Sequence, residues 1–183
     1  VKEEITYGQL TRRAKSIAAG LQQKGMNGDR VILLFPTGIS FITALLGCFY
    51  AGMIGVPTYP PKRNKTNERF KSILKNAEPT FILTNANMAG GIEKHFADEP
   101  LIKDTILLMF EEIPLGSENK WEHPGIAADN IAMLQYTSGS TGSPHGVMVS
   151  HFNMIHNCKF IRNRSETSCG GLWDYWGGDN FST

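Results

Sequence analysis

The chain is poor in the features that mark several protein classes. It holds three cysteines, Cys48, Cys158 and Cys169, an odd number with no C-x-x-C pair. A disulfide framework and a cysteine zinc site are therefore not expected, and a reducing, cytoplasmic setting fits. Charge of one sign is also lacking: 18 Lys+Arg against 17 Asp+Glu leave a formal net charge of +1. With no basic run either, nucleic acid is not expected as a partner. No internal period of 20–50 residues points to a repeat array. The chain opens on Val1 and passes straight into a helix-like pattern, with no signal-peptide pattern; a processed or partial chain is expected.

One uncharged stretch does occur, from Val31 to Pro61. Pro36, Gly38, Gly52, Gly55 and Pro57 break it, and Ile39 to Gly52 falls short of the ~20 residues a membrane helix needs. It reads as a buried strand, helix and strand, so no membrane span is expected. Hydrophobic residues make up 41% of the 183, enough for one domain with a core.

Periodicity places the elements. Thr6 and Gln9 have capping-box spacing, and Leu10, Ala14, Ile17, Ala18 and Leu21 then share a helical face, with Gly25 as the stop. Arg12, Arg13 and Lys15 occupy the face read as solvated. Val31-Ile32-Leu33-Leu34-Phe35 reads as a strand buried on both sides. A helix over 39–52, a short strand over 55–59, and a helix carrying Phe70, Ile73, Leu74 and Ala77 follow. Strands are expected at 80–84, 104–109, 130–136 and 147–149, and Ser150 is placed to cap a helix over 151–164. Residues 111–129 read as a surface connection. Strands alternating with helices define the fold class as α/β: a doubly wound, mostly parallel sheet with helices on both faces. Residues 1–164 form the expected folded part. From 165 to 183 no period survives, and an irregular tail is expected, either a loop or a segment foreign to the fold.

Between the strands at 130–136 and 147–149 lies Tyr136-Thr137-Ser138-Gly139-Ser140-Thr141-Gly142-Ser143-Pro144-His145-Gly146. Gly139, Gly142 and Gly146 allow close backbone approach, and successive N–H groups in such turns make concave anion sites. Thr137, Ser138, Ser140, Thr141 and Ser143 add hydroxyl donors. Each hydrogen bond to a charged group contributes about 1.5–3 kcal/mol, so three or four hold a polyphosphate. A flexible Ser/Gly linker is the bland alternative, but this loop runs between two apolar strands, as functional loops do. The loop is not a Walker A sequence: counting from Gly139, Pro144 stands at the second glycine position and no Lys-Ser or Lys-Thr follows. G-x-G-x-x-G is absent too.

Residues 136–147 (YTSGSTGSPHGV) resemble the signature loop of adenylate-forming enzymes, Tyr-Thr-Ser-Gly-Ser-Thr-Gly-x-Pro-Lys-Gly-Val, at every position but His145. The following VMVSH, with His151, suits it as well. Upstream, LLFPTGISFITALLGCFYAGMIGVPTYPP is similar to the fatty-acyl-AMP ligase branch, and Arg69, Ala77 and Phe81–Thr84 continue in that style. The resemblance covers about residues 5–164. It implies ATP-dependent activation of a fatty acid to an acyl-adenylate with release of pyrophosphate, with transfer to an acyl carrier protein or a polyketide or peptide synthase module. ATP and Mg²⁺ are the implied cofactors. Thr137, Ser138, Gly139, Ser140, Thr141, Gly142, His145 and Gly146 are the implied phosphate-binding residues, and Thr141 the implied Mg²⁺ neighbour. No catalytic acid or base is assigned. Ligases making acyl-CoA or acting on amino or aryl acids are the alternative within the class. A catalytically inert nucleotide-binding remnant is the alternative outside it.

His145 stands where the family pattern has lysine. Lysine is fully charged at pH 7, whereas an unperturbed histidine, with pKa ~6.5, is about one-quarter protonated. Weakened pyrophosphate handling is the expectation. The later family motifs, for adenine, ribose, Mg²⁺ and a mobile lysine, are not found in this sequence, so the chain alone is expected to be inactive. His151 and His156, five apart, do not align as a metal pair; His95 and His123 read as surface residues. Trp173, Tyr175 and Trp176 belong to the tail.

Overall fold

The computed structural model describes residues 4–59, 68–96, 102, 105–137 and 144–165. The phosphate-loop residues Ser138, Gly139, Ser140, Thr141, Gly142 and Ser143, and the tail from 166, lie outside the described residues.

Helix α1 (Tyr7–Gln22) starts with the expected capping box: the Gln9 N–H donates to Thr6 Oγ1 at 3.2 Å and the Thr6 N–H to Gln9 Oε1 at 2.9 Å. Strand β1 (Arg30–Leu34), helix α2 (Ile39–Ala51), strand β2 (Ile54–Thr58), helix α3 (Glu68–Ala77) and strand β3 (Phe81–Thr84) follow. Helix α4 (Ala86–Phe96) has no counterpart in the sequence reading. Its start is nonetheless written in Asn85, whose side chain accepts from the Met88 N–H at 3.1 Å. Gly90 and Gly91 in its middle dilute the helical signal. Strand β4 (Ile106–Met109), two 3₁₀ turns at Phe110–Glu112 and Ser117–Lys120, strand β5 (Ile131–Thr137), strand β6 (His145–Ser150) and helix α5 (His151–Ser165) complete the order.

The six strands form one sheet in the order β4-β3-β1-β2-β5-β6, parallel except for the antiparallel β5–β6 pair. Alternation along β1 divides two cores. Val31 and Leu33 face α1 and α2, packing with Ile17, Leu21, Ala44 and Cys48. Ile32 and Leu34 face α3 and α4, packing with Phe70, Ile73, Leu74 and Ile92. These strand side chains are fully buried, each contributing roughly 1.5–3 kcal/mol. Buried on both faces, β1 reads in sequence as a continuous apolar run, not an alternating one.

The segment 111–129 is more than the expected surface connection. Ile113 is buried in the α1/α2 core. Trp121 Nε1 donates to the Tyr50 carbonyl at 2.7 Å, and its ring meets Tyr50 edge-on at 5.6 Å. Lys15, assigned to a solvated face, instead holds its Nζ 4.0 Å from the centre of the Trp121 ring. The ammonium meets the negative π-face of the ring, a cation–π contact. Ser16 Oγ donates to Glu118 Oε2 at 2.9 Å. The segment is a strap across α1 and α2. Among the described residues, no helix is long and apolar enough to cross a membrane.

Candidate phosphate site at the carboxyl edge of the sheet

In open α/β sheets, ligands bind beyond the carboxyl ends of the strands. β5 runs parallel to β2 and delivers the chain to that edge at Thr137; β6 returns from it, starting at His145. Thr137 and His145 are directly paired across the β5–β6 ladder, and both are exposed. Tyr136 and Gly146 form the next pair. The Tyr136 ring lies over Gly146: a Cβ there would stand 3.1 Å from Tyr136 Cζ. Glycine at 146 thus leaves room for the ring that closes the α3 side of the hairpin.

Of the eight sequence-derived site residues, the structure brings Thr137, His145 and Gly146 to one end of one hairpin. The other five, Ser138, Gly139, Ser140, Thr141 and Gly142, lie in the segment this hairpin spans, outside the described residues. The donor chemistry present is a threonine hydroxyl, an imidazole and backbone groups, which suits an anion. Among the described residues, no three His, Cys, Asp or Glu side chains gather to hold a metal ion.

Two contacts from α3 were not read from the sequence. Arg69 Nη2 donates to the Tyr136 carbonyl at 3.3 Å, and Tyr136 Oη donates to Asn76 Oδ1 at 2.6 Å. The available signal was spacing: seven residues are two helical turns, so Arg69 and Asn76 share a face of α3. Burial raises the Tyr136 phenol pKa, with Arg30 pulling weakly the other way.

His151 is a buried side chain, 3% exposed, with its ring edge-on to Phe49 at 5.5 Å. Desolvation lowers its pKa, favouring the neutral ring. It opens α5, whose cap is reciprocal. Asn153 N–H donates to Ser150 Oγ at 3.2 Å, and Ser150 N–H to Asn153 Oδ1 at 3.0 Å. The free backbone donors of the first turn reach the end of the strap: His151 N–H to Asn130 O at 3.1 Å and Phe152 N–H to Ala128 O at 2.7 Å. His123 is exposed, as read; its Nδ1 accepts from the Gly125 N–H at 3.1 Å. The His95 side chain lies outside the described residues. Cys48 is buried, which pushes its thiol pKa upward and leaves it protonated and inert, while Cys158 is exposed on α5.

A mostly parallel sheet with helices on both faces, in which β5 reaches the carboxyl edge ahead of a Ser/Thr/Gly segment, defines a doubly wound α/β protein. The chain belongs to the AMP-binding enzyme family, whose model matches residues 1–175. It is 36% identical over 162 residues to the medium-chain-fatty-acid–[acyl-carrier-protein] ligase JamA of Moorena producens, covering 86% of this chain and 27% of that protein. It is 35% identical over 158 residues to the long-chain-fatty-acid–AMP ligase FadD32 of Mycolicibacterium smegmatis, covering 86% and 25% respectively. The fold superposes with a TM-score of 0.81, at 40% identity, on the fatty acyl-adenylate ligase of L. pneumophila, solved in complex with acyl adenylate and pyrophosphate. That match covers 91% of this chain and 29% of the other. The chain thus spans about a quarter of the length of the curated relatives it matches.

Proposed function

We propose that this chain is the part of a fatty-acid-activating enzyme that holds the outer phosphates of ATP. In the whole reaction a carboxylate oxygen bonds to the α-phosphorus as the bond to the departing pyrophosphate breaks, giving an acyl-adenylate. The Thr137 hydroxyl and the backbone donors and hydroxyls of 138–142 act as preorganised hydrogen-bond donors to the charge that builds on pyrophosphate. In this reading they are donors and not nucleophiles, the sequence identifying no base to activate one. Mg²⁺ would neutralise phosphate charge, with Thr141 beside it. His145 and Gly146 close the hairpin, with His145 replacing the usual cation.

The single supporting observation is the signature-like segment 136–147 spanning the hairpin that opens at the carboxyl edge of a parallel sheet. The names of both relatives support a fatty acid as the activated acid, and that of JamA an acyl carrier protein as the acceptor. Residues 1–164 form the folded part in this reading, with 165–183 as an appended tail in a cytoplasmic protein. The family's later adenine and ribose motifs are not found in this sequence, so the chain by itself is expected not to complete the reaction.

Titration of the 183-residue chain with ATP–Mg tests the site: saturable binding that weakens when Thr137 is replaced by alanine is expected. Absence of binding favours the inert-remnant reading, which His145 motivates. In the longer parent enzyme, pyrophosphate exchange that depends on added fatty acid, across a panel of chain lengths with and without coenzyme A, tests the acid and the acceptor. Exchange driven by amino or aryl acids would overturn the fatty-acid assignment.

A further inference from the structure

Past Met133, β5 is paired with β6, through Leu134↔Met148, Gln135↔Val147, Tyr136↔Gly146 and Thr137↔His145. Among the described residues, the β2–β5 register holds at a single pair, Gly55↔Met133. Two residues beyond Gly55, β2 carries Pro57, which has no N–H to give to a ladder. The end of β5, where the chain enters the phosphate segment, has its ladder on the β6 side. Helix α3 adds contacts at two points on one residue. Arg69 Nη2 donates to the Tyr136 carbonyl at 3.3 Å, and Asn76 Oδ1 accepts from the Tyr136 hydroxyl at 2.6 Å. Between these points the Tyr136 ring is pinned over Gly146 of β6, with Phe70, Ile73 and Leu74 of α3 in the same core.

We propose that Arg69 and Asn76 form a clamp that supplements the β5–β6 pairing from the α3 side and sets the position of Thr137. This makes Arg69 a positioning residue for the phosphate site; the assignment of that role rests on the ATP-phosphate reading above. The Tyr136 carbonyl carbon is bonded to the Thr137 nitrogen, so holding the carbonyl oxygen fixes the peptide plane from which Thr137 departs. A guanidinium suits the task because its rigid fork can hold a carbonyl while keeping other N–H groups directed elsewhere.

Two readouts on the 183-residue chain, amide hydrogen exchange and ATP–Mg titration, test the clamp with Arg69→Met, Arg69→Lys and Asn76→Ala. Arg69→Met is expected to speed exchange at residues 134–137 by roughly tenfold, as expected for loss of one charge-assisted hydrogen bond. It is expected to weaken ATP–Mg binding by about three- to tenfold. Arg69→Lys keeps a cationic donor and should restore most of both, which a role limited to packing would not produce. Asn76→Ala, which leaves Arg69 in place, should speed exchange in the same segment and serves if the methionine variant fails to fold. Unchanged exchange in Arg69→Met and Asn76→Ala, with ATP–Mg still bound by the wild type, overturns the clamp alone. Faster exchange with unaltered ATP–Mg affinity overturns the positioning role. No saturable ATP–Mg binding by the wild type overturns the phosphate reading and the positioning role with it, while the exchange measurement still decides whether the clamp exists.

Discussion

His145 stands across the β5–β6 ladder from Thr137, at the mouth of the proposed phosphate site. A permanent charge ~4 Å from a phosphate in an effective dielectric of ~20 contributes about 4 kcal/mol before desolvation and screening. Roughly 1–3 kcal/mol of that survives, or about ten- to a hundredfold in rate. Replacing His145 with lysine in the longer parent enzyme should accelerate acid-dependent pyrophosphate exchange by that factor. An unchanged rate would show that hydroxyls and metal suffice. His151 makes a second prediction at this scale. Its folded-state pKa lies below the unfolded value because burial penalises the charged ring. The unfolded chain therefore takes up a proton that the folded chain refuses as pH falls through ~6.5, so stability is intact above that pH and declines below it. Thermal midpoints should be lower at pH 5.5 than at pH 7.5, and His151→Gln should flatten the difference.

At the scale of elements, α1 and α2 approach until Gly47 touches Ile17. A Cβ on Gly47 would lie 2.5 Å from Ile17 Cγ2. Gly47→Ala gains about 1 kcal/mol of helix propensity but costs about 1–3 kcal/mol of overpacking. Because Ile17 is 2% exposed and has little room to yield, the clash should win by about 1 kcal/mol, lowering the thermal midpoint by ~2–4 °C. In an Ile17→Ala background, where the clashing Cγ2 is gone, Gly47→Ala should cost less than in the parent chain. The strap 111–129 shows why some elements escaped a reading by pattern. Its ordering contacts are Ile113 in the core, Trp121 on Tyr50, 71 residues earlier, and Lys15 on Trp121. None follows a local period. The capping box of α1, the Ser150 cap of α5 and the apolar face of α3 are local, and these were legible. In the site, the same rule holds: Thr137, His145 and Gly146 are neighbours in a motif, whereas the Asn76 contact to Tyr136 spans 60 residues.

For the molecule as a whole, the two borders of the sheet differ. β4 ends one side; on the other, β6 exposes Val147 and Met148, and α5 exposes Phe152, Phe160 and Ile161. With Met148 at 68% exposure, and no Pro, Lys, Arg, Asp or Glu along β6, this edge is a template for strand pairing. The chain should self-associate as concentration rises, and Met148→Lys should reduce that association in sedimentation while leaving the thermal midpoint within ~1 °C. Equal association in the variant would move the contact to another surface.

What the amino-acid order determined alone was everything carried by short-range periodicity: the doubly buried β1, the capped helices, the alternation of strand and helix, and the run of hydroxyls and glycines after β5. Those signals are local because side-chain spacing and caps act within one or two turns. The tertiary structure decided that Lys15 lies beneath a strap, that His151 is buried against Phe49, and that α3 grips Tyr136 at both ends. Each of these depends on which distant segment packs opposite, a matter of shape and burial that no single stretch of sequence contains.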